Sequence, residues 1–287
     1  MLAPAEREPF WSEFRDAMAA FGYVEGRTAR IEFRSGEGRP QLLAERAKDL
    51  ARLNVDVIVA HQTPAVTAAK QATSRIPIVI ASAADPVATG LVSSLARPGG
   101  NITGNAGVLA STAPKVFELL KELLPGLNRV VVLGNGVDPY TKHYLPQMLS
   151  AGKTLAIETF AATLHSAEDY AAAFADAAQR RVQAVIVQPS LQRRPAIELA
   201  AKHRLPTVSP ARAFAEEGGL MSYSPALREL FAGAADYVDR ILKGAKPADL
   251  PVQQPKKYEL LVNARAAKAL GLVVPSSILL RADKVIE

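Results

Sequence analysis

Residues 55–65 have the sequence VDVIVAHQTPA, and this stretch decides the fold class. The run from Val55 to Ala60 is rich in β-branched residues and too short for a helix, which is typical of a strand buried on both faces of a parallel sheet. Thr63 and Pro64 then predict the start of a helix, with Thr63 as its N-cap and Pro64 in its first turn. A strand, a short loop and a helix in this order predict an α/β unit.

The same alternation of strand and helix continues along most of the chain. The pattern predicts strands at residues 29–33, 55–60, 76–81, 129–133, 155–160, 184–188, 207–208 and 258–262. It predicts helices at residues 9–20, 41–53, 63–73, 113–124, 142–152, 167–179, 194–203, 225–243 and 264–270. A turn-forming stretch, RPGGN at 97–101, separates two such sets. We therefore expect an α/β protein with two doubly wound parallel-sheet lobes.

Composition limits the classes of protein that fit this chain. The 287 residues are 49% hydrophobic and 22% charged, which is ordinary for a globular protein and sufficient for two cores. The absence of cysteine excludes disulfides, thiolate metal sites and cysteine nucleophiles. The sequence contains no run of about 20 apolar residues, so it predicts no membrane span.

The net charge of +6, from 34 basic and 28 acidic residues, raises the question of a nucleic-acid partner. Such a partner needs a basic stripe with interleaved aromatic residues. The basic residues here are scattered, the densest groups are pairs such as Arg180 and Arg181, and aromatic residues are only 6%. We expect no nucleic-acid partner.

Polar side chains follow five of the predicted strands. Ligands of open parallel sheets bind at the carboxyl ends of the strands, so these residues are candidates for ligand binding. The candidates are His61, Gln62, Thr63, Ser82, Asp85, Asn135, Asp138, Tyr140, Gln188, Ser190 and Arg212. Their hydroxyls, amides, carboxylates and one guanidinium suit a small polar molecule with an apolar body.

Several of these candidates have an alternative, structural role. Thr63 caps a helix, although the free N–H groups beside it also suit a ligand carboxylate. Asp85 and Asp138 precede prolines as ordinary cap residues, and Asp85 could instead neutralise a ligand ammonium group. Arg212 can pair with Glu216 at helical spacing or bind the ligand. Tyr140 can be a packing residue or a platform for stacking.

The sequence contains no catalytic motif. Among the four histidines only His61 lies at a predicted strand end, where it can equally be an ordinary loop histidine, and the others lack metal-site spacing. A Gly-Xaa-Ser-Xaa-Gly elbow and a phosphate-binding loop are both absent. Residues 134–136, GNG, begin like a dinucleotide fingerprint, but Pro139 replaces the third glycine. We expect no enzyme activity, no cofactor and no metal.

Further segments of the sequence carry a resemblance to a known family. They are GYVEG at 22–26, VDVIVA with TPA at 55–65, IPIV at 76–79, DPV at 85–87, GLV at 90–92, ARPGGNITG at 96–104, GGLMSY at 218–223 and ILKGAKPADLPVQ at 241–253. In this order and at this spacing, the segments resemble the substrate-binding proteins of ABC transporters in the tryptophan/tyrosine-type group. The likeness covers nearly the whole chain.

The resemblance implies a periplasmic-binding-protein type I fold, in which a hinge of three strands joins two lobes. It implies chain crossings near residues 101–107, 220–224 and 253–258. Lobe one is then 1–103 plus 224–257, and lobe two is 104–223 plus 258–287. By the positions of the loops, the resemblance implies that the ligand-binding residues are Thr63, Ser82, Asp85, Asn135, Gln188, Arg212 and, at the hinge, Ser222.

The function implied is that of a periplasmic component of an ABC importer. It would bind a small carboxylate-bearing ligand, such as an aromatic or branched amino acid, in the interlobe cleft. Its partners would be this ligand and an inner-membrane permease, and we expect a monomer. The alternatives are a ligand-sensing regulator core of the same fold, which lacks its helix-turn-helix head here, and a small α/β enzyme.

The N-terminus departs from the pattern of the family. Relatives begin with an export leader and an apolar first strand, whereas here Met1 to Pro4 lead straight into a charged predicted helix. We therefore expect no signal peptide in this sequence and a missing first strand in lobe one, through a start codon placed too late or a trimmed sequence. The strands on either side of the gap would then be unpaired.

Overall fold

The computed structural model describes residues 1–3, 10–107 and 112–287. Its strands are β1 (Leu2–Ala3), β2 (Arg34–Ser35), β3 (Ile58–His61), β4 (Ile78–Ala84), β5 (Ile102–Gly107), β6 (Arg129–Asn135), β7 (Glu158–Leu164), β8 (Ala184–Val187), β9 (Thr207–Ser209), β10 (Met221–Pro225), β11 (Tyr258–Asn263) and β12 (Lys284–Ile286). Its α-helices are α1 (Phe10–Ala20), α2 (Leu43–Arg52), α3 (Thr63–Ala72), α4 (Ala113–Leu123), α5 (Thr141–Thr154), α6 (Asp169–Gln179), α7 (Arg193–Lys202), α8 (Arg212–Glu216), α9 (Leu227–Leu242), α10 (Ala264–Ala269) and α11 (Ser276–Leu279). The predicted helix start at Pro9 lies outside the described residues.

The chain divides into two compact units. The first consists of Met1–Val108 and Ala226–Lys256, and the second of Leu109–Pro225 and Lys257–Glu287. Each unit has its own sheet, so the expected α/β class with two mainly parallel sheets is confirmed. None of the helices in the described ranges has the length and hydropathy of a membrane span.

The first unit is built on a parallel sheet of order β2-β1-β3-β4-β5. Successive side chains of a strand point to opposite faces. Ile58 therefore packs with Leu50 and the rest of the α2 and α3 layer, while Val59 packs with Trp11 and Phe231 in the α1 and α9 layer. Both layers bury β3 and β4, which explains the continuous apolar runs in the sequence.

The second unit is built on a sheet of order β12-β11-β10-β9-β8-β6-β7, in which only the β10–β11 pair is antiparallel. On one face Leu133 and Val185 pack with Phe174 of α6 and Ala196 of α7. Helix α5 contacts β6 and β7, and α4 packs against α5. The carboxyl ends of β6, β8 and β9 lie side by side at one edge.

The expectation that the first strand of lobe one is missing is wrong. Residues Leu2–Ala3 form a strand between β2 and β3, and Leu2 is in register with Arg34 on one side and Ala60 on the other. The Arg34 N–H donates to the Met1 carbonyl (2.9 Å). Leu2 is completely buried in the core. Leu2 packs in the α2 and α3 layer and Ala3 packs in the α1 and α9 layer, so the two residues contribute to the core on both faces of the sheet.

The predicted strand at residues 29–33 is also wrong. The structure has a single β-bridge there, between Glu25 and Ala29, and β2 begins only at Arg34. Ile31 and Phe33 instead pack against the α1 and α9 layer as extended chain. Alternating apolar residues therefore marked a half-buried segment, which becomes a strand only where it reaches β1.

Candidate functional site

Five candidate residues lie at the carboxyl ends of β3 and β4 in the first unit. His61 is in register with Ser82, and the Gln62 N–H donates to the Ser82 carbonyl (2.7 Å). Thr63 begins α3, and Asp85 follows directly after β4. The structure therefore brings these five residues, which the sequence had placed in two separate loops, to a single edge of the first sheet.

Thr63 is not the N-cap of α3, contrary to the expectation from sequence. Gln62 occupies that position, and its side chain makes no capping hydrogen bond. The Thr63 hydroxyl instead accepts a hydrogen bond from the Ala84 N–H (3.2 Å) and donates to the Ala84 carbonyl (3.4 Å). Through these two hydrogen bonds, Thr63 joins the start of α3 to the end of β4.

Gln62 and Asp85 both have backbone conformations that are rare for residues other than glycine. Their φ values are 67° and 29°. The Gln62 Oε1 atom is buried and has no hydrogen-bond partner among the described residues. Strained residues on neighbouring strand ends are typical of binding sites. Gln62 and Asp85 are therefore the candidates at this edge of the first sheet that we examine for unpaired polar groups.

The Asp85 carboxylate is only partly engaged. Its Oδ1 accepts a hydrogen bond from the Ala88 N–H (3.0 Å), and its main-chain carbonyl accepts from the Thr89 hydroxyl (2.8 Å). Within the described ranges it forms no ion pair with a basic residue. Asp85 begins a turn and not a helix. The other carboxylate oxygen of Asp85 thus has no hydrogen-bond partner among the described residues.

His61 and Ser82 are packed inside the first unit. The His61 ring is buried and lies edge-on to Phe231, with 5.0 Å between ring centroids. The buried Ser82 hydroxyl lies against Gly107 of β5, where an added Cβ would come within 2.9 Å of it. These two residues shape the edge through packing.

Four candidate residues in the second unit belong to a hydrogen-bonded network at the ends of β6 and β8. The Asn135 N–H donates to Gln188 Oε1 (2.9 Å), and Asn135 Nδ2 donates to the Ser190 carbonyl (2.8 Å). Gln188 Nε2 and Ser190 Oγ both donate to Asp138 Oδ2, at 2.9 and 2.5 Å. The Tyr140 N–H donates to Asp138 Oδ1 (2.9 Å). The structure thus brings these residues together, and their polar groups form hydrogen bonds with one another.

Asp138 is the charged centre of this network and is only 7% exposed. Burial raises the pKa of its carboxyl group, and the hydrogen bonds from Ser190, Tyr140 and Gln188 oppose that rise. In the described part of the chain no basic side chain pairs with it. Its charge is therefore stabilised by hydrogen bonds alone.

Thr141 is a member of this network that the sequence analysis missed. Its hydroxyl lies 2.5 Å from the Asn135 carbonyl and 2.8 Å from Gln188 Oε1, and it can donate to either. A hydroxyl residue at the start of a helix, three positions after Asp138, was the available signal. The partner at position 188 could not be found from local sequence.

Two more candidates lie buried within the second unit. Tyr140 is completely buried, and its hydroxyl is bonded to Gln147 Oε1 (3.2 Å). Ser222 is also completely buried, in register with Ser209, and within the described ranges neither serine hydroxyl has a hydrogen-bond partner. The packing role of Tyr140 is thus the one that the structure favours.

Arg212 pairs with Glu216, which is one of the two alternatives open from sequence. Its Nε donates to Glu216 (3.2 Å), and its Nη1 donates to Glu259 of β11 (2.9 Å). Sequence reasoning missed Glu259, which is 47 positions away along the chain. Two carboxylates therefore already neutralise this guanidinium group.

Metal ligation finds no support in the described residues. They contain no group of three or more His, Asp or Glu side chains placed to hold an ion.

Residues 7–286 match the family described as ABC transporter substrate binding protein. The chain belongs to this family. Family members bind a small-molecule ligand and work with a membrane permease. The family resemblance inferred from the sequence is thereby confirmed, and membership does not favour a regulator core.

Two solved structures and one further relative match most of this chain. A conserved domain protein from Vibrio cholerae is 27% identical, with a TM-score of 0.90 over 99% of this chain and 98% of that one. The ABC domain in complex with L-Trp from Streptococcus pneumonia is 26% identical, with the same TM-score and coverage. A tyrosine-binding protein from Clostridioides difficile is 24% identical over 262 residues, which are 90% of this chain and 75% of that protein.

Proposed function

We propose that this chain is the extracytoplasmic, solute-binding component of an ABC importer and that its ligand is an aromatic amino acid. The proposal is supported by family membership and by the relatives whose names specify tyrosine and L-Trp. It assigns the protein no enzymatic activity and a periplasmic location. A monomeric state and the lack of a nucleic-acid partner stay predictions.

Asp85 is the observation that carries the choice of ligand class. Its carboxylate follows β4 and has no basic partner among the described residues. Asp85 also comes directly after Ala84, which is bonded to Thr63 at the start of α3, and the N-cap residue of α3 makes no side-chain capping hydrogen bond. An amino acid carries an ammonium group for such a carboxylate and a carboxylate for the N–H groups of a helix start. We therefore assign both charged groups of the ligand to the first-unit edge.

The carboxyl-end edge of the second sheet is consistent with this assignment of the charged groups to the first unit. Its network residues are satisfied by one another, and Arg212 is neutralised by Glu216 and Glu259. Polar groups that are already paired offer little additional free energy to a charged ligand. In the proposal, the second edge receives the ligand side chain.

Titration calorimetry with two ligands tests the proposal. L-Tryptophan carries both charged groups, whereas indole-3-propionate lacks the ammonium group. The Asp85→Asn variant should bind L-tryptophan about tenfold or more weakly, because a hydrogen bond to a charged group contributes ~1.5–3 kcal/mol. Its affinity for indole-3-propionate should change much less.

Asp56→Asn is the matched control, because Asp56 is an exposed aspartate just before the same strand pair and at its opposite end. This variant should bind both ligands like the wild type. Equal losses for the two ligands in Asp85→Asn would show that Asp85 acts through folding. A wild type that binds neither L-tryptophan nor L-tyrosine would overturn the proposed function.

A further inference from the structure

Five polar side chains in the second unit form a closed network, which we call the β6–β8 network: Asn135, Asp138, Thr141, Gln188 and Ser190. We propose that this network is a positioning device: it sets the geometry of the ligand-binding loops after β6 and β8, and Asp138 is a positioning residue that does not touch the ligand. The inference rests on the proposed function, and it reassigns residues that the sequence suggested as direct ligand contacts.

The network closes on itself through four residues. Asp138 accepts from Gln188 and Ser190, Gln188 accepts from the Asn135 backbone, and Asn135 donates to the Ser190 carbonyl. Each hydrogen bond joins the loop after β6 to the loop after β8. Breaking one of them therefore loosens both loops.

Both carboxylate oxygens of Asp138 are already engaged within the second unit. Its two carboxylate oxygens accept three hydrogen bonds, from Tyr140, Gln188 and Ser190, and the residue is buried. Four of the five network residues are buried, and Ser190 is half-buried. A buried and satisfied group of this kind acts on binding through the loops that it holds.

The direction of the hydrogen bonds requires an acceptor at position 138. The Tyr140 N–H can only donate. The Gln188 amide cannot turn over, because its Oε1 already accepts from the Asn135 N–H and lies 2.8 Å from the Thr141 hydroxyl. Its Nε2 must therefore face Asp138 as a donor. An ionised carboxylate satisfies all of these donors, whereas an asparagine would place an N–H against one of them.

The same strand pair has a second glutamine bridge at its amino ends, which provides a contrast. Gln183 Oε1 accepts from the Asn128 and Arg129 N–H groups (2.8 and 3.1 Å), and Gln183 Nε2 donates to the Gly126 carbonyl (3.0 Å). This bridge holds β6 and β8 at the end away from the candidate site. It supplies a glutamine with a structural role only.

Exchanging donor and acceptor between positions 138 and 188 tests the proposal. The Asp138→Asn variant places an amide donor opposite the Gln188 amide donor. The Gln188→Glu variant places a second carboxylate opposite the Asp138 carboxylate. The double variant Asp138→Asn/Gln188→Glu restores complementarity, because the new amide at position 138 then donates to the new carboxylate at position 188. That carboxylate still accepts from the Asn135 N–H and faces the Thr141 hydroxyl, as the Gln188 Oε1 atom does. The total charge of the pair is also restored.

L-Tryptophan affinity and melting temperature are measured for the folded wild type and each variant. Each single variant should bind about tenfold or more weakly, since a mismatched buried polar pair costs a full hydrogen bond. The double variant should return to within about threefold of the wild type. Gln183→Glu should lower the melting temperature and leave the affinity unchanged.

Three outcomes would overturn the inference. One is single variants that lower the melting temperature and bind L-tryptophan like the wild type. Another is a double variant that fails to recover affinity while its melting temperature recovers. The third is an equal loss of affinity in Gln183→Glu. A wild type that binds no aromatic amino acid instead refutes the proposed function, and with it the ligand-positioning role; recovery of the melting temperature alone would then support only the donor–acceptor pairing.

Discussion

At the scale of single residues, the candidate site depends on Gln62, whose backbone is strained. Its φ of 67° is held because its N–H donates to the Ser82 carbonyl and its own carbonyl accepts from the Val66 N–H. Both peptide groups are thus fixed by the end of β4 and the start of α3. The strained conformation of Gln62 is therefore imposed by the junction between β4 and α3.

Replacing Gln62 by glycine or by alanine separates strain from binding. Gln62→Gly should be about 1 kcal/mol more stable than Gln62→Ala, because only glycine adopts this conformation without steric cost. Urea unfolding followed by the fluorescence of Trp11, the single tryptophan of the chain, measures the difference. Both variants should bind L-tryptophan more weakly than the wild type. Equal stabilities of the two variants would contradict the strain.

At the scale of elements, β5 approaches β4 unusually closely at one point. Gly104 has φ of 124°, and a Cβ there would overlap the backbone of Ile80. The β4–β5 register shifts between Ile80 and Ala83. On its other side, the Gly104 carbonyl accepts from the Gln253 N–H (2.9 Å). Only glycine lets this strand pair keep both contacts.

Gly104→Ala should destabilise the first unit by about 2 kcal/mol or more, because a clash with backbone cannot be relieved by a side-chain rotation. Gly100→Ala, four residues earlier, is the control, since an added Cβ there meets no atom within 4 Å. Trp11 reports the unfolding of this unit because it packs against Phe231, with 4.8 Å between ring centroids. A loss of equal size in both variants would rule out the close approach as the cause.

At the scale of the whole molecule, stability divides between two units that have separate sheets and cores. Trp11 lies in the core of the first unit, and Phe174 lies in the core of the second with Val185 and Leu133. Proteins with two such units often depart from two-state unfolding. The two cores can therefore be weakened one at a time.

Phe174→Ala should destabilise the second unit by about 3–5 kcal/mol through the cavity that it leaves. Its unfolding midpoint by circular dichroism should fall further than its midpoint by Trp11 fluorescence. Saturating L-tyrosine should raise both midpoints, since the ligand is proposed to contact both units, and L-tyrosine adds no indole fluorescence to that of Trp11. Coincident midpoints in the absence of ligand would show that the two units unfold as one.

The β-branched runs that became β3, β4, β6 and β8 determined the α/β class without help from tertiary contacts. Such runs are apolar at every position because both faces of a parallel strand are covered. The chain's own segments were also sufficient to suggest its family, and the strand-end rule placed most candidate residues at two sheet edges. The lobe boundaries and the ligand contacts stay predictions.

Only the tertiary structure decided what the strand-end side chains bind within the chain. Thr63 is bonded to Ala84, which is 21 positions away in the sequence. Asp138 is bonded to Gln188, 50 positions away, and Arg212 is bonded to Glu259, 47 positions away. Hydrogen-bond and ion-pair partners at such separations are set by which strands become neighbours, and local sequence patterns carry no record of that pairing. For the same reason β1 escaped prediction, because two residues show no period and become a strand only between two others.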